Sequence, residues 1–355
     1  MSDLDFIVTS QTGPYEVTFQ SGVLGSMTAL QQSIVVVDQR VADLYRDRFS
    51  VDLREARTVF VSASEETKSL EHLPHFVEQL VALNVRRSDV LIAIGGGVTQ
   101  DIVAFLATVM FRGMDWSFIP TTLLAQADSC IGSKSSINAA GTKNLVGTFR
   151  APTAVTIDVS FLQTLSEEDV LSGIGEMLKV HAIEGPTKFD LIASEYEDLL
   201  SNMATMESVV RRSLLIKRNL IQVDEFDRGP RNVMNYGHSF GHAIESATDY
   251  GIPHGIAVTI GMDMANFVAV ELGFTSANQF QRMHQVLKRN SAGFASIEIA
   301  SAALISALRR DKKNSASHLR LVLPDLDGRI GVVEVLPDEI LEAAVDSYLS
   351  IGREL

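Results

Sequence analysis

The sequence has a single cysteine, Cys130, in 355 residues. No internal disulfide can form and no cysteine-built zinc site exists, which fits a reducing compartment. Basic residues are also in deficit, with 30 Lys and Arg against 44 Asp and Glu and a formal net charge of -14. Such a chain is a poor default binder of nucleic acid, and any anionic substrate must be met by cations gathered locally. No apolar run approaches the ~20 residues of a membrane span. The opening stretch MSDLDFIVTS carries two aspartates and no apolar run, so it does not read as a signal peptide. A soluble, cytoplasmic protein is expected. Internal repeats, low-complexity runs and long linkers are absent as well.

What is present is enough apolar material, 46% of residues, for a sizeable core. The length suggests two domains. Short apolar runs alternate with amphipathic segments over the first part of the chain, the pattern of parallel α/β units. SIVVVD (33–38), TVFVSA (58–63), DVLIAIGGG (89–97), WSFIPTT and TAVTID (153–158) read as strands. After Asp158 the texture becomes helical, over 166–183, 205–223 and 255–272, with a late pair of strand-like pieces, HLRLVLP and RIGVVEV. An α/β domain over 1–158 and a mainly helical domain over 159–355 are expected, with a site in the cleft between them.

Four stretches carry candidate chemistry. In AIGGGVTQD, glycines between a strand and a helix let backbone N–H groups approach a phosphate, although the spacing is not GxGxxG. A tight strand-to-helix turn is the plainer reading. Asp38, ending a strand, is either a ribose partner or an exposed strand-end acid. The stretch PTTLLAQADSCIGSKSSINAAGTKN gathers Asp128, Lys134, Asn138, Lys143 and Asn144 among small residues, which suits a phosphate or carboxylate better than a solvated loop. In SGIGEMLKVHAI, Glu176 and Lys179 lie three apart on a helix that is apolar almost all round. A buried Glu needs a cation, a metal or a proton. In NYGHSFGHAIE, His238 and His242 lie four apart, the spacing of paired zinc ligands, and His254 follows in IPHGIAV. Spacing alone makes His238 and His242 ligands, with Glu176 or His254 third, against two core histidines with satisfied hydrogen bonds.

These pieces, with SEETKSL, FRG, DVSFLQTL and RRDKKN in the same order, resemble the dehydroquinate synthase family of sugar phosphate cyclases from about Val35 to Gly331. The resemblance implies an N-terminal Rossmann-like NAD-binding α/β domain and a C-terminal, mainly α-helical metal-binding domain. It implies a divalent metal, zinc or cobalt, on Glu176, His238 and His254, with His242 lining the pocket instead. NAD would contact Asp38, Glu65, Lys68, Gly96, Gly97, Asp101, Thr121, Thr122, Thr164 and Leu165, beside Asp128 and Lys143. Arg112, reaching across from a second subunit of a homodimer, would hold the substrate phosphate with Lys134, Asn144 and a lysine of the Lys312–Lys313 pair, assigned to Lys313. Asp128, Lys143, Lys179, Lys217, Arg231 and Asn235 would complete the pocket. The implied reaction is oxidation of a secondary hydroxyl, elimination of phosphate, reduction, ring opening and intramolecular aldol closure.

The implied substrate is 3-deoxy-D-arabino-heptulosonate 7-phosphate, whose carboxylate needs a cation. Arg231 stands where the family places its carboxylate-binding arginine, and a guanidinium pairs with a carboxylate through two parallel bonds. Three departures bear on that substrate. Ile256 replaces the Glu of HGEAV, SCIGSK with Ser133 replaces SSVGGK, and INAAGTKN replaces VNHPLGKN. A specialised cyclase acting on another sugar phosphate is the alternative expectation. A metal-dependent alcohol or glycerol dehydrogenase is a further rival, against which the lysines of GSKSSINAAGTKN argue, since a small alcohol has no phosphate to grip.

Overall fold

The computed structural model describes residues 4–27, 32–310 and 318–354. Lys312 and Lys313 lie outside the described residues. The chain divides into two compact units, Met1–Leu165 with Lys217–Asp227, and Ser166–Ile216 with Arg228–Leu355. The sequence reading put the boundary at residue 158, without the return of 217–227 to the first unit.

In chain order the first unit contains β1 (Phe6–Val8), β2 (Tyr15–Phe19), β3 (Ser33–Asp38), α1 (Gln39–Leu44), β4 (Thr58–Val61), α2 (Leu73–Ala82), β5 (Val90–Gly95), α3 (Gly97–Val109), β6 (Asp115–Pro120), β7 (Lys134–Ala139), β8 (Thr142–Phe149) and β9 (Ala154–Ile157). Seven strands form one sheet in the order β1-β2-β9-β6-β5-β3-β4. All neighbours run parallel except β1 and β2. The apolar centre of SIVVVD is buried on both faces, as a central parallel strand requires. Val35, Val37, Ile94 and Ile119 from three adjacent strands join Tyr45 and Phe161 in one core cluster.

Two features depart from the sequence reading. The antiparallel pair β1–β2, which it did not identify, opens the sheet. The segment GSKSSINAAGTKN is mostly an antiparallel hairpin, β7–β8, whose strands it did not identify either. Its strand-breaking glycines and lysines hid it: β8 is exposed over much of its length, so no apolar alternation marks it.

The second unit contains α4 (Glu167–Glu184), α5 (Pro186–Ser194), α6 (Tyr196–Ser201), most of α7 (Met203–Val223), α8 (His238–Ala247), α9 (His254–Glu271), α10 (Ala277–Asn290), α11 (Ser301–Arg309), the hairpin β10 (Leu319–Pro324) with β11 (Ile330–Val335), and α12 (Glu339–Ser350). Ser166 caps α4 by accepting from the Asp169 N–H at 3.2 Å, and three acids in the first turn suit the helix dipole. Helix α9 is buried from Gly255 to Ala269, and packs against α4, α8, α10 and α12. A helix buried on every side belongs in the centre of its domain. No helix among the described residues is long and apolar enough to cross a membrane.

Candidate functional site

The carboxyl ends of β3, β5 and β6 carry the residues expected to meet a nucleotide, where parallel sheets bind ligands. Gly95 is forced by crowding: a Cβ there would lie 2.5 Å from Thr99 Oγ1 and 3.2 Å from the Asp38 Cβ. Gly96 likewise leaves no room beside Thr122, whose methyl would stand 2.9 Å from an added Cβ. Thr121 N–H donates to Gly95 O at 2.9 Å, fastening the β6 end to the β5 end. Gly97 then opens α3 with no side-chain cap at its start. Asp38 caps α1 by accepting from Arg40 N–H at 2.8 Å, and burial pushes its carboxyl up. Thr164 hydrogen-bonds Tyr45 Oη at 2.8 Å, and Leu165 follows it. Arg112 is exposed in a turn whose backbone is left-handed at Phe111 and Arg112.

The hairpin β7–β8 brings a second group together. Lys68, 6% exposed, places Nζ 3.2 Å from Asp101 Oδ2, 2.9 Å from Asn144 Oδ1 and 3.5 Å from Glu65 Oε1. Asp101 also accepts from the Ser136 backbone N–H and hydroxyl, each at 2.9 Å. Burial pushes the Asp101 carboxyl up, against the pull of Lys68 and Ser136. Asn138 Nδ2 donates to Glu65 Oε2 at 2.8 Å, and its Oδ1 accepts from Asn144 N–H at 2.9 Å. Glu65, Lys68, Asp101 and Asn144, widely spread in sequence, therefore form one polar cluster. Lysines that the resemblance gives to the pocket are held nearby by acids: Lys217 by Asp128 at 2.6 Å, and Lys134 by Asp227. Asp128 sits in a π-helical turn, Ala125–Ser129, and also offers its backbone carbonyl to Lys217 at 2.6 Å. Lys143 is exposed on β8.

In the second unit α4, α8 and α9 bring Glu176, His238, His242 and His254 together. Two glycine crossings allow it. A Cβ on Gly255 would lie 1.9 Å from Ser172 O, and one on Gly175 would lie 2.3 Å from Gly255 O, so α4 and α9 meet backbone to backbone. Ser172 Oγ accepts from Gly255 N–H at 2.9 Å, capping α9 from its neighbour. A Cβ on Gly261 would lie 2.2 Å from Gly237 O, so α8 and α9 meet in the same way. Gly237, with φ 75, must also start α8 from the left-handed region. The glycines that precede His238 and His242 are thus packing positions against α9.

Glu176 Oε1 lies 3.6 Å from His238 Nε2 and 3.4 Å from His254 Nε2. It is buried and, among the described residues, makes no hydrogen bond, while Oε2 pairs with the buried ammonium of Lys179. An unpartnered buried carboxylate oxygen between two imidazole nitrogens is the setting of a divalent cation. The ring nitrogens of His238, His242 and His254 also lie within 4.8 Å of one another. The structure therefore assembles all four residues weighed from the sequence; His242 is the exposed one. Burial pushes the Glu176 carboxyl up, but Lys179 and His254 outweigh it and hold it well below the usual carboxylate range. Burial pushes His254 down, but Glu176 and Glu245 raise it to about 10. A cation between Nε2 and Glu176 would take the place of that proton. Burial, then Lys179 and the two other histidines, holds His238 well below its ordinary value.

Arg231 is buried on the 3-10 turn Pro230–Asn235, and Asn235 Nδ2 donates to Asn232 O at 3.0 Å. The following Tyr236 is fully buried and donates to Asn266 Oδ1 of α9. Sequence reasoning missed Glu245 and Asp227. Glu245 was detectable, since positions 238, 242 and 245 share one helix face. Asp227 had no signal, because its pairing with Lys134 joins residues far apart in sequence.

Residues 58–172 match the family described as 3-dehydroquinate synthase N-terminal, and residues 173–314 match 3-dehydroquinate synthase C-terminal. A 3-dehydroquinate synthase of Thermoanaerobacter sp. (strain X514) is 33% identical over 88% of this chain and 89% of its own. The chain belongs to the 3-dehydroquinate synthase family. Among solved structures, 2-epi-5-epi-valiolone synthase from Streptomyces hygroscopicus subsp. jinggangensis, with NAD+ and Zn2+ bound, superposes at a TM-score of 0.82. It is 26% identical, covering 94% of this chain and 96% of its own. A 2-deoxy-scyllo-inosose synthase complexed with carbaglucose-6-phosphate, NAD+ and Co2+ also reaches 0.82, over 96% and 99% of the two chains. At 22% identity that likeness speaks for the fold alone. The family's α/β unit and helical unit are the two units described above.

Proposed function

We propose that this chain is a 3-dehydroquinate synthase, a phosphate-eliminating carbon–oxygen lyase that converts 3-deoxy-D-arabino-heptulosonate 7-phosphate to 3-dehydroquinate. The observation that carries the reading is the 33% identity to a 3-dehydroquinate synthase over most of both chains. The unpartnered Glu176 oxygen beside two imidazoles supports its metal centre. The setting is the shikimate pathway in the cytoplasm, and the assembly is a homodimer.

The residues present fit both cofactors. Glu176, His238 and His254 would hold zinc or cobalt, a Lewis acid that polarises the reacting oxygens when bound. The β3, β5 and β6 ends, with Asp38, Gly96, Gly97, Thr121 and Thr122, would hold NAD, which supplies reversible hydride transfer. Glu65, Lys68, Asp101, Thr164 and Leu165, with Asp128 and Lys143, would complete its contacts.

The remaining roles belong to side chains. Lys134 and Asn144, with Arg112 from a second subunit and Lys313, bind the phosphate. Arg231 binds the carboxylate, and Lys217 adds charge. Lys179 keeps Glu176 ionised by direct pairing. His242, exposed one turn from His238, relays a proton at the substrate, and Asn235 orients a hydroxyl. Fixed cations and oriented donors of this kind lower a barrier by stabilising charge as it develops.

A second reading is favoured by Ile256 and Ser133, which differ from the pattern the family resemblance implies. It is a cyclase of the same family acting on sedoheptulose 7-phosphate, glucose 6-phosphate or an amino analogue. Phosphate release from the three sugars, offered in parallel with NAD and zinc, separates the readings. Release with the heptulosonate alone is expected. Release only with a sugar lacking the carboxylate overturns the substrate and Arg231's role.

A further inference from the structure

His254 has different neighbours on its two ring nitrogens. Nε2 lies 3.4 Å from Glu176 Oε1, and Nδ1 lies 3.3 Å from Glu245 Oε2. His238 is arranged in parallel, with Nε2 3.6 Å from Glu176 Oε1 and Nδ1 3.2 Å from Tyr236 O. Each imidazole thus turns Nε2 toward the same carboxylate oxygen and meets an acceptor with Nδ1. For His238 that acceptor is a backbone carbonyl, fixed by the left-handed start of α8. For His254 it is a side chain.

That side chain is well placed to act. Glu245 follows His238 by seven residues and His242 by three on α8, so it shares their face. It is 9% exposed, a position that an acid occupies at a cost unless it is paired. His254, by contrast, begins α9, and its side chain is 37% exposed. One face of its ring stacks on His242, itself exposed, at 5.7 Å between centroids. The torsion that turns an imidazole is broad and roughly two-fold, so packing of this kind orients the ring weakly. An acceptor on the distal nitrogen orients a ligating imidazole and selects its tautomer.

We propose that Glu245 is the positioning residue of His254: it accepts the Nδ1 proton, keeps the Nε2 lone pair directed at Glu176 Oε1, and thereby sets the affinity of the centre for a divalent metal. The inference rests on the proposed metal centre. Glu245 is not itself a ligand, because its Oε2 lies on the Nδ1 side of the ring.

Zinc affinity of the full chain, stripped of metal and titrated against a competing chelator, tests this without turnover. Glu245→Ala should bind zinc about 10- to 100-fold more weakly. Glu245→Gln, whose amide oxygen still accepts from Nδ1–H, should recover most of the loss. Unchanged zinc affinity in Glu245→Ala overturns the proposal. If that variant does not fold, long-range proton–nitrogen spectra of the zinc-loaded parent decide. A protonated Nδ1 on His254 is expected, and a protonated Nε2 with zinc on Nδ1 overturns the assignment. A parent that binds no zinc overturns the metal reading itself, before Glu245 is in question.

Discussion

Ile256 follows the candidate ligand His254 by two positions and is 0% exposed, packed inside the central helix α9. It stands where the family resemblance implies a Glu. Its burial makes it a core residue in this chain, and a lone carboxylate there would be desolvated without an assured partner. Ile256→Glu should lower stability by about 3 kcal/mol or more, read as a fall in the denaturant midpoint. A parental midpoint would mean that the pocket still accommodates the acid. The same neighbourhood shows what was legible residue by residue. Glu176, His238 and His254 were readable because each sits in a short motif of unusual composition. Choosing among them and His242 was not possible from spacing, since four residues along a helix describes ligands and bystanders equally. Burial sets Glu176, 2% exposed, apart from the histidines, but it does not choose among these: His242 is exposed and the His254 side chain is 37% exposed.

Helices and parallel strands were legible at the scale of elements, because periodicity and apolar runs are local signals. The hairpin β7–β8 was not, since its ladder is fixed by partners rather than by an apolar face. The crossings that bring Glu176 and the histidines together were hidden too, because a glycine in a helix does not announce which backbone approaches it. Gly255→Ala tests that contact. The new methyl would sit 1.9 Å from a carbonyl oxygen of α4, so the helices must separate. A cost of about 1–3 kcal/mol and weaker zinc binding are expected together. Gly293→Ala, where a Cβ meets nothing within 4 Å, should leave zinc binding unchanged. A second test on α4 concerns His181. It is fully buried, its Nδ1 is 2.8 Å from Met177 O, and its Nε2 accepts from Arg212 Nε–H at 3.0 Å. Burial, with Arg212 and Lys188, lowers its pKa to about 4 against the partial support of Met177 O. Between about pH 6.5 and 4 the unfolded chain therefore binds a proton that the folded chain refuses, and stability falls as pH falls. The full effect is roughly 3 kcal/mol. His181→Gln should flatten the dependence of unfolding free energy on pH across that window; an unaltered slope would exonerate His181.

Charge is the whole-molecule problem: a chain of net charge -14 proposed to bind a phosphorylated, carboxylated sugar. Its solution is local pairing. Lys68, Lys134, Lys179 and Lys217 each lie against an acid, Asp101, Asp227, Glu176 and Asp128 respectively. Paired lysines stay oriented at modest desolvation cost, and Lys134 and Lys217, the two proposed to meet the substrate's charge, keep donors for an anion. A dehydrogenase built on a related fold has no phosphate to receive, and fold alone does not choose between the chemistries. Redox balance does choose. The proposed cycle oxidises and reduces the same carbon, so it consumes no net oxidant. With NAD supplied only at the concentration of enzyme, phosphate should be released from the heptulosonate over many turnovers, with no steady rise in NADH absorbance. A single burst of NADH that ends with the supplied NAD, without continued phosphate release, would instead mark a dehydrogenase and leave these lysines without an anion to hold.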